Sequence, residues 1–225
     1  MAIPRPDTCI ACAAPLPPQT RAWWDSAANS VTCVDCRPAG VAKTVADESQ
    51  TTPARAEGAD RESRLAEQLD RDLDGVATVL HDRKVPLSRG NIDHLVVAPT
   101  GIWIIDGNDD AGKVERRDVG GRRTTHERLY VGHRDRTELI CAMGWQADAV
   151  RLAVEPIGFG AAPIHCCLCF TNAEWGLRSA LFVIDDVRIG WATALVETIQ
   201  STPVLDAAAV TTLSHHLNSW FPASH

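Results

Sequence analysis

Two cysteine knuckles near the N-terminus constrain the fold of this chain more than any other feature. Cys9-Ile-Ala-Cys12 and Cys33-Val-Asp-Cys36 are CxxC turns separated by 20 residues. One such turn brings two thiolates to an ion, and two complete a closed tetrahedral shell of four. The spacing is that of structural zinc (Zn2+). The alternatives are two unrelated pairs or one redox-active CxxC, and the βαβ context of a redox motif is missing here. The stretch between the knuckles can form one hairpin, with Trp23, Trp24 and Val31 packing beside the metal. A closed shell leaves no position for water, which assigns this zinc to folding rather than catalysis. About 40 residues bury too little surface to hold together alone, and the metal supplies what the core lacks. A zinc ribbon binds nucleic acid or a protein partner, and spacing does not say which.

The knuckles hold four of the eight cysteines in a chain of 225 residues. Paired cysteines in a reducing compartment read as metal ligands. The start, Met-Ala-Ile-Pro-Arg-Pro, lacks the apolar core of a secretory signal. No apolar run approaches the roughly 20 residues that span a bilayer. The expectation is a cytoplasmic protein with no membrane association.

Three zones follow from composition. Residues 1–40 hold the four-cysteine ribbon. Residues 41–56 are small, polar and aperiodic, and read as a linker. Residues 57–225 are long enough for an independent core. Basic and acidic residues balance through Ala56, so the net charge of −7 sits in the larger zone. That argues against a protein that coats nucleic acid through bulk charge, though not against a local basic face.

The larger zone opens with a helix carrying Leu65, Leu69 and Leu73 at four-residue spacing. Val76 to His81 reads as a strand. Asn91 to Ala98 and Ile102 to Asp106 read as two strands joined by the turn Pro99-Thr100-Gly101. Glu138 to about Val154 reads as helix, His165 to Thr171 and Ala180 to Ile184 as strands. Asp206 to Leu217 reads as the closing helix, with Asp206 near its N-cap. The mixed order gives an α/β or α+β sheet domain.

Three carboxylates stand out. Glu62 lies three residues before Leu65 and seven before Leu69, on the apolar face of its helix. Its plainer role is a favourable contact with the helix dipole. Asp93 opens one hairpin strand and Asp106 closes the other. Hairpin loops of two, three or four residues ending at Gly101 set Asp93 opposite position 108, 107 or 106. The two aspartates are therefore neighbours at one end of the sheet. Carboxylates at the ends of apolar strands are costly unless paired, solvated or bound to a cation. With Glu62 packed against that sheet, three hard oxygen donors would suit Mg2+ or Mn2+. The simpler alternative is that both aspartates end strands and cap turns.

The run Leu-His-Asp-Arg-Lys-Val-Pro from Leu80, followed by Asn-Ile-Asp-His-Leu-Val-Val-Ala-Pro-Thr-Gly-Ile-Trp-Ile-Ile-Asp from Asn91, resembles the nuclease-related domain (NERD) family. Gly132-His133-Arg134-Asp135-Arg136-Thr137, Trp145-Gln146-Ala147, Cys169-Phe170 and Glu174-Trp175 extend the likeness over roughly residues 57–222. Some members carry a similar four-cysteine ribbon. The family is similar to the PD-(D/E)XK restriction-endonuclease-like nucleases. That implies a mixed sheet flanked by helices and a carboxylate-held divalent metal that cleaves phosphodiester bonds. By the same likeness Glu62 matches the helix acid, Asp93 the first strand acid and Asp106 the second. Gln146 matches a glutamine of a later helix that orients the site. The family's motif lysine falls at Asn108, and Arg61 replaces a glycine often found before the helix acid. An amide is neither a cation nor a general base at neutral pH. Lys113 or Lys84 would have to reach the site instead.

Residues 113–136 contain eight Lys or Arg against four Asp or Glu. They read as a phosphate-contacting loop or as a solvated hairpin of mixed charge, with Gly120-Gly121 at its turn. His165, Cys167 and Cys169 share one strand face, which suits either a second metal site or a buried core. Cys141 reads as a helix core position. Three functions remain: a metal-dependent DNA nuclease, a catalytically degenerate module that binds DNA or protein, and an adaptor working through its ribbon.

Overall fold

The computed structural model describes residues 7–8, 15–16, 22–25, 30–33, 53–86, 88, 90–120, 126–176 and 179–224, and for residues 7, 15–16, 22–25, 30–33 and 53–62 the backbone alone. The chain divides into two units, Met1–Gln50 and Thr51–His225. In the first, β1 (Asp7–Thr8) pairs with β2 (Pro15–Leu16), and β3 (Ala22–Asp25) pairs antiparallel with β4 (Ser30–Cys33). Ala22 stands opposite Cys33. A hairpin therefore forms between the two knuckles, as their spacing suggests. Cys9, Cys12 and Cys36 lie outside the described residues, as does the Cys33 side chain, and the zinc assignment falls there.

The second unit runs α1 (Pro53–Asp72), β5 (Thr78–Lys84), β6 (Asn91–Ala98), β7 (Gly101–Asn108), β8 (Gly112–Asp118), β9 (Glu127–Val131), β10 (Arg134–Asp135), α2 (Thr137–Val154), a 3-10 turn at Glu155–Ile157, β11 (Ile164–Phe170), β12 (Ala173–Glu174), β13 (Phe182–Ile184), β14 (Val187–Gly190), α3 (Ala192–Ile199) and α4 (Ala207–Trp220). Helix α1 starts a turn ahead of the boundary read at residue 57, because proline is well suited to the first helical turn.

Six strands form the main sheet in the order β13-β14-β11-β7-β6-β5. Strands β5, β6 and β7 form an antiparallel meander, and β11 and β14 then add in parallel. The central strands are apolar almost without interruption because both faces are covered. One face packs Val96, Ala98, Trp103, Ile105, Cys167 and Cys169 under α1 and α3. The other packs Leu95, Val97, Ile102, Ile104 and Leu168 under α2 and α4. Among the described residues, no helix is long and apolar enough to cross a membrane.

The β6–β7 turn explains its own sequence. Ala98 pairs with Gly101, leaving Pro99 and Thr100 as a two-residue turn. Gly101 has φ +132°, and a Cβ there would lie 2.7 Å from the Pro163 carbonyl oxygen, so no side chain fits. Thr100 is buried, donating to the Ile199 carbonyl at 2.7 Å and accepting from Trp103 Nε1 at 3.0 Å. At the sheet edge the C-terminal tail covers β5, with Lys84 N–H donating to the Pro222 carbonyl and Ser224 N–H to that of Asp82. Such cover blunts an exposed strand edge.

The charged segment is a hairpin in a second sheet, order β10-β9-β8-β12. Its described cations have acidic partners. Lys113 meets Glu115 at 2.6 Å, Arg117 meets Glu115 at 2.8 Å and Arg128 meets Asp135 at 2.9 Å. Arg116 meets Glu127 at 3.3 Å, Arg136 meets Asp110 at 2.6 Å and Arg134 lies 3.9 Å from Asp110. Lys113 and Arg117 hold the Glu115 carboxyl at about 2, well below its ordinary value. The mixed-charge hairpin is thus the better description of the described part.

Candidate metal-binding site

The site begins with the hairpin register. His94 pairs with Ile105, Leu95 with Ile104 and Val96 with Trp103. One step beyond His94 and Ile105 in that register stand Asp93 and Asp106. The two-residue turn ends at Thr100 rather than Gly101, which gives the same register as a four-residue loop counted to Gly101, and so the two aspartates are adjacent. Strand alternation puts Asp93 on the face of Leu95 and Val97, and Asp106 on the face of Ile102 and Ile104, which α2 covers. Asp106 also stands beside Leu168 of β11. Both aspartates are half-buried, and Asp93 Oδ2 is shielded from solvent.

Helix α2 brings the third described member. Ile140, Met143, Gln146, Val150 and Ala153 form its buried stripe. Gln146 is the one polar residue in that stripe, 4% exposed, and its Oε1 has no hydrogen-bond partner among the described residues. An apolar side chain at this position would remove that cost. Its neighbour Trp145 lies against Gly90, where a Cβ would come within 2.5 Å of the indole ring. The Trp145–Gln146 turn of α2 therefore sits over the end of β6 that carries Asp93.

The Asn108 side chain has a local task. Its Oδ1 accepts the Asp110 N–H at 3.0 Å, and its carbonyl accepts the Thr171 N–H at 2.9 Å. These bonds shape the exit from β7. Lys113 is ion-paired to Glu115 on the second sheet, and Lys84 is exposed on edge strand β5. Glu62 lies in α1, its side chain outside the described residues. The body of that helix packs on the other face of the sheet from Asp93 and Asp106, with Leu65, Leu69 and Leu73 against Val96, Trp103 and Ile105, and a Cβ on Gly107 would lie 3.2 Å from Leu65 Cδ2. Among the described residues, no group of three His, Cys, Asp or Glu side chains gathers around one point.

The model of the nuclease-related domain family matches residues 57–171. This chain belongs to that family. Neither a curated protein nor a solved structure matches it. The matched span contains α1 from residue 57 onward, the β5–β7 meander, α2 and β11, and so every member of the candidate site.

Sequence reasoning passed over two histidines of this NERD domain. His81 and His94 stand opposite each other on β5 and β6. Their Nδ1 atoms are 2.8 Å apart, and His81 Nε2 lies 3.0 Å from Asp70 Oδ1 of α1. A histidine at a register position facing another was the available signal. The cysteines of β11 read as core. Cys166, Cys167 and Cys169 are buried, and burial pushes the Cys166 thiol up to about 11 and that of Cys169 to about 12. Such thiols are unreactive. Cys141, in contrast, is exposed on α2, on the side away from the buried stripe.

Proposed function

We propose that this NERD protein is a divalent-metal-dependent phosphodiesterase acting on DNA. Asp93 and Asp106 hold Mg2+ or Mn2+, with Glu62 as a third donor. The observation that carries this reading is the register that makes Asp93 and Asp106 neighbours at one end of the sheet. Two adjacent carboxylates are a hard oxygen donor set, which fits these ions. A bound ion of this kind would polarise the scissile phosphate and lower the pKa of an attacking water. The chain's own part is to hold the carboxylates, to place the Gln146 amide beside them and to keep the site half-shielded between α2 and the sheet. Cleavage of labelled DNA with Mg2+, Mn2+ or EDTA tests the reading. Loss of cleavage in Asp93→Ala is the expected result.

A second reading has its own observation. Asn108 supplies no cation and its carbonyl oxygen is already engaged, which favours a module that binds DNA or a protein partner without cutting. Any DNA affinity is then weak and salt-sensitive, because the described cations of the basic segment are paired with acids. Cleavage appearing only in Asn108→Lys would select this reading.

In the same proposal Cys9, Cys12, Cys33 and Cys36 hold a structural zinc, and the protein is cytoplasmic. Mercurial release should yield one zinc per chain, and none from Cys9→Ser combined with Cys36→Ser. The ribbon would make any contact with a protein partner.

A further inference from the structure

The side chains of Asp70, His81 and His94 form one connected path through three elements. Asp70 on α1 is 60% exposed, His81 on β5 is 29% exposed and His94 on β6 is 2% exposed. The path therefore runs from solvent into the core. Asp70 Oδ1 accepts from His81 Nε2, which leaves His81 Nδ1 facing His94 Nδ1 at 2.8 Å. One proton serves that second contact, and the two rings meet edge to face with centroids 5.0 Å apart. Each ring thus has its orientation set by the next group.

Strand alternation puts His94 among apolar neighbours, on the face of Val96, Trp103 and Ile105. Two apolar side chains across β5 and β6 would pack there without any polar group to satisfy. Buried polar chains give up stability of that kind and fix one arrangement in return. What this chain fixes is specific. His94 follows Asp93 directly, and Asp70 lies on the helix that carries Glu62 two turns earlier. The path ties the strand of one carboxylate to the helix of another.

We propose that Asp70, His81 and His94 are positioning residues of the carboxylate site. They hold the start of β6 against α1, and so set Asp93 at the spacing a divalent ion requires. This rests on the metal-binding reading above. Outer groups that orient a metal's ligands change its affinity by about 10- to 100-fold when removed.

The test measures Mn2+ affinity of the full chain from the electron paramagnetic resonance signal of free Mn2+, with thermal melts in EDTA on the same samples. His94→Leu should weaken Mn2+ binding by about 10-fold or more. Asp70→Ala alters an exposed group and leaves the fold intact, and it should weaken binding in the same direction. The double variant should be no weaker than His94→Leu, because the path is already broken. His94→Asn, which keeps a donor near the Nδ1 position, should recover part of the loss. A lowered melting temperature with unchanged Mn2+ affinity in both single variants would reduce the path to packing and overturn the proposal. Strictly additive losses would overturn it too. A wild-type chain that binds no Mn2+ would remove the metal reading itself, and this proposal with it.

Discussion

Asp93 and Asp106 are cross-strand neighbours, one register step beyond the His94–Ile105 pair. Like charges set opposite each other on adjacent strands destabilise a sheet, by up to about 1 kcal/mol. The arrangement has a consequence that separates a metal site from a pair of strand-ending caps. Asp106→Asn should raise the melting temperature in EDTA, by roughly 2–4 °C for each kcal/mol gained. The same change should erase the stabilisation that Mn2+ gives the native chain. Melting curves with and without Mn2+ check both halves. A cap would give the reverse, a loss of stability in EDTA and no dependence on Mn2+.

Gln146 makes a similar trade. Its Oε1 is buried and has no partner among the described residues. Gln146→Leu keeps the volume and removes the orphaned group, which should stabilise the chain by about 1 kcal/mol in urea melts. Mn2+ affinity or DNA cleavage should fall at the same time. A variant that is less stable with unaltered binding would return Gln146 to a packing role.

Asn108 can be converted to lysine, the residue the family resemblance expects there, at a known local cost. Asn108→Lys deletes the acceptor for the Asp110 N–H, a bond worth about 0.5–1.5 kcal/mol. It also places a cation beside Asp106. The expected outcome is a lower melting temperature together with faster metal-dependent cleavage. Slower cleavage than in the native chain would show that the amide is itself part of the working site.

His165 gives the stability a defined pH dependence. Burial, and then the charge of Arg188, hold its pKa below the ordinary value of 6.5. Its Nδ1 lies 3.1 Å from Arg188 Nη1 and its Nε2 lies 3.3 Å from the Thr100 carbonyl oxygen, contacts that suit a neutral ring with its hydrogen on Nε2. The unfolded chain binds a proton at His165 more readily than the folded one. Stability is therefore fully present above pH 6.5 and declines as the pH falls below it. Urea melts between about pH 7.5 and 5 should show a shallower decline in His165→Gln than in the native chain. Parallel profiles would contradict the assignment.

The parts of the fold legible in the sequence are those with one dominant cause. Strands β6 and β7 are buried on both faces, so their apolar runs stand out and the glycine-bearing turn sets their register. Asp206 accepts the Ala209 N–H at 2.8 Å, as its position before an apolar stretch suggests. Strands β8 and β9 are legible only as one of two readings of a charged segment, because charged residues dominate them and leave little apolar alternation. Strand β14 and helix α3 are short, and they follow a two-residue turn in which Asp185 and Asp186 both take positive φ without a glycine to mark it. The site divides in the same way. Asp93 and Asp106 follow from counting residues around a turn, whereas Gln146 comes from the family likeness alone, and its place in the buried α2 stripe is a finding of the structure. The turn-forming role of Asn108 and the Asp70–His81–His94 path depend on contacts between elements, which no local pattern encodes.

Cleavage of end-labelled single- and double-stranded DNA by the purified chain, with Mg2+, with Mn2+ and with EDTA, tests the central claim most directly. Asp93→Ala and Asn108→Lys belong in the same gel. The account predicts cleavage with metal, none with EDTA and none in Asp93→Ala. Equal cleavage by the native chain and Asp93→Ala, or none by either native chain or Asn108→Lys under any metal, would contradict it.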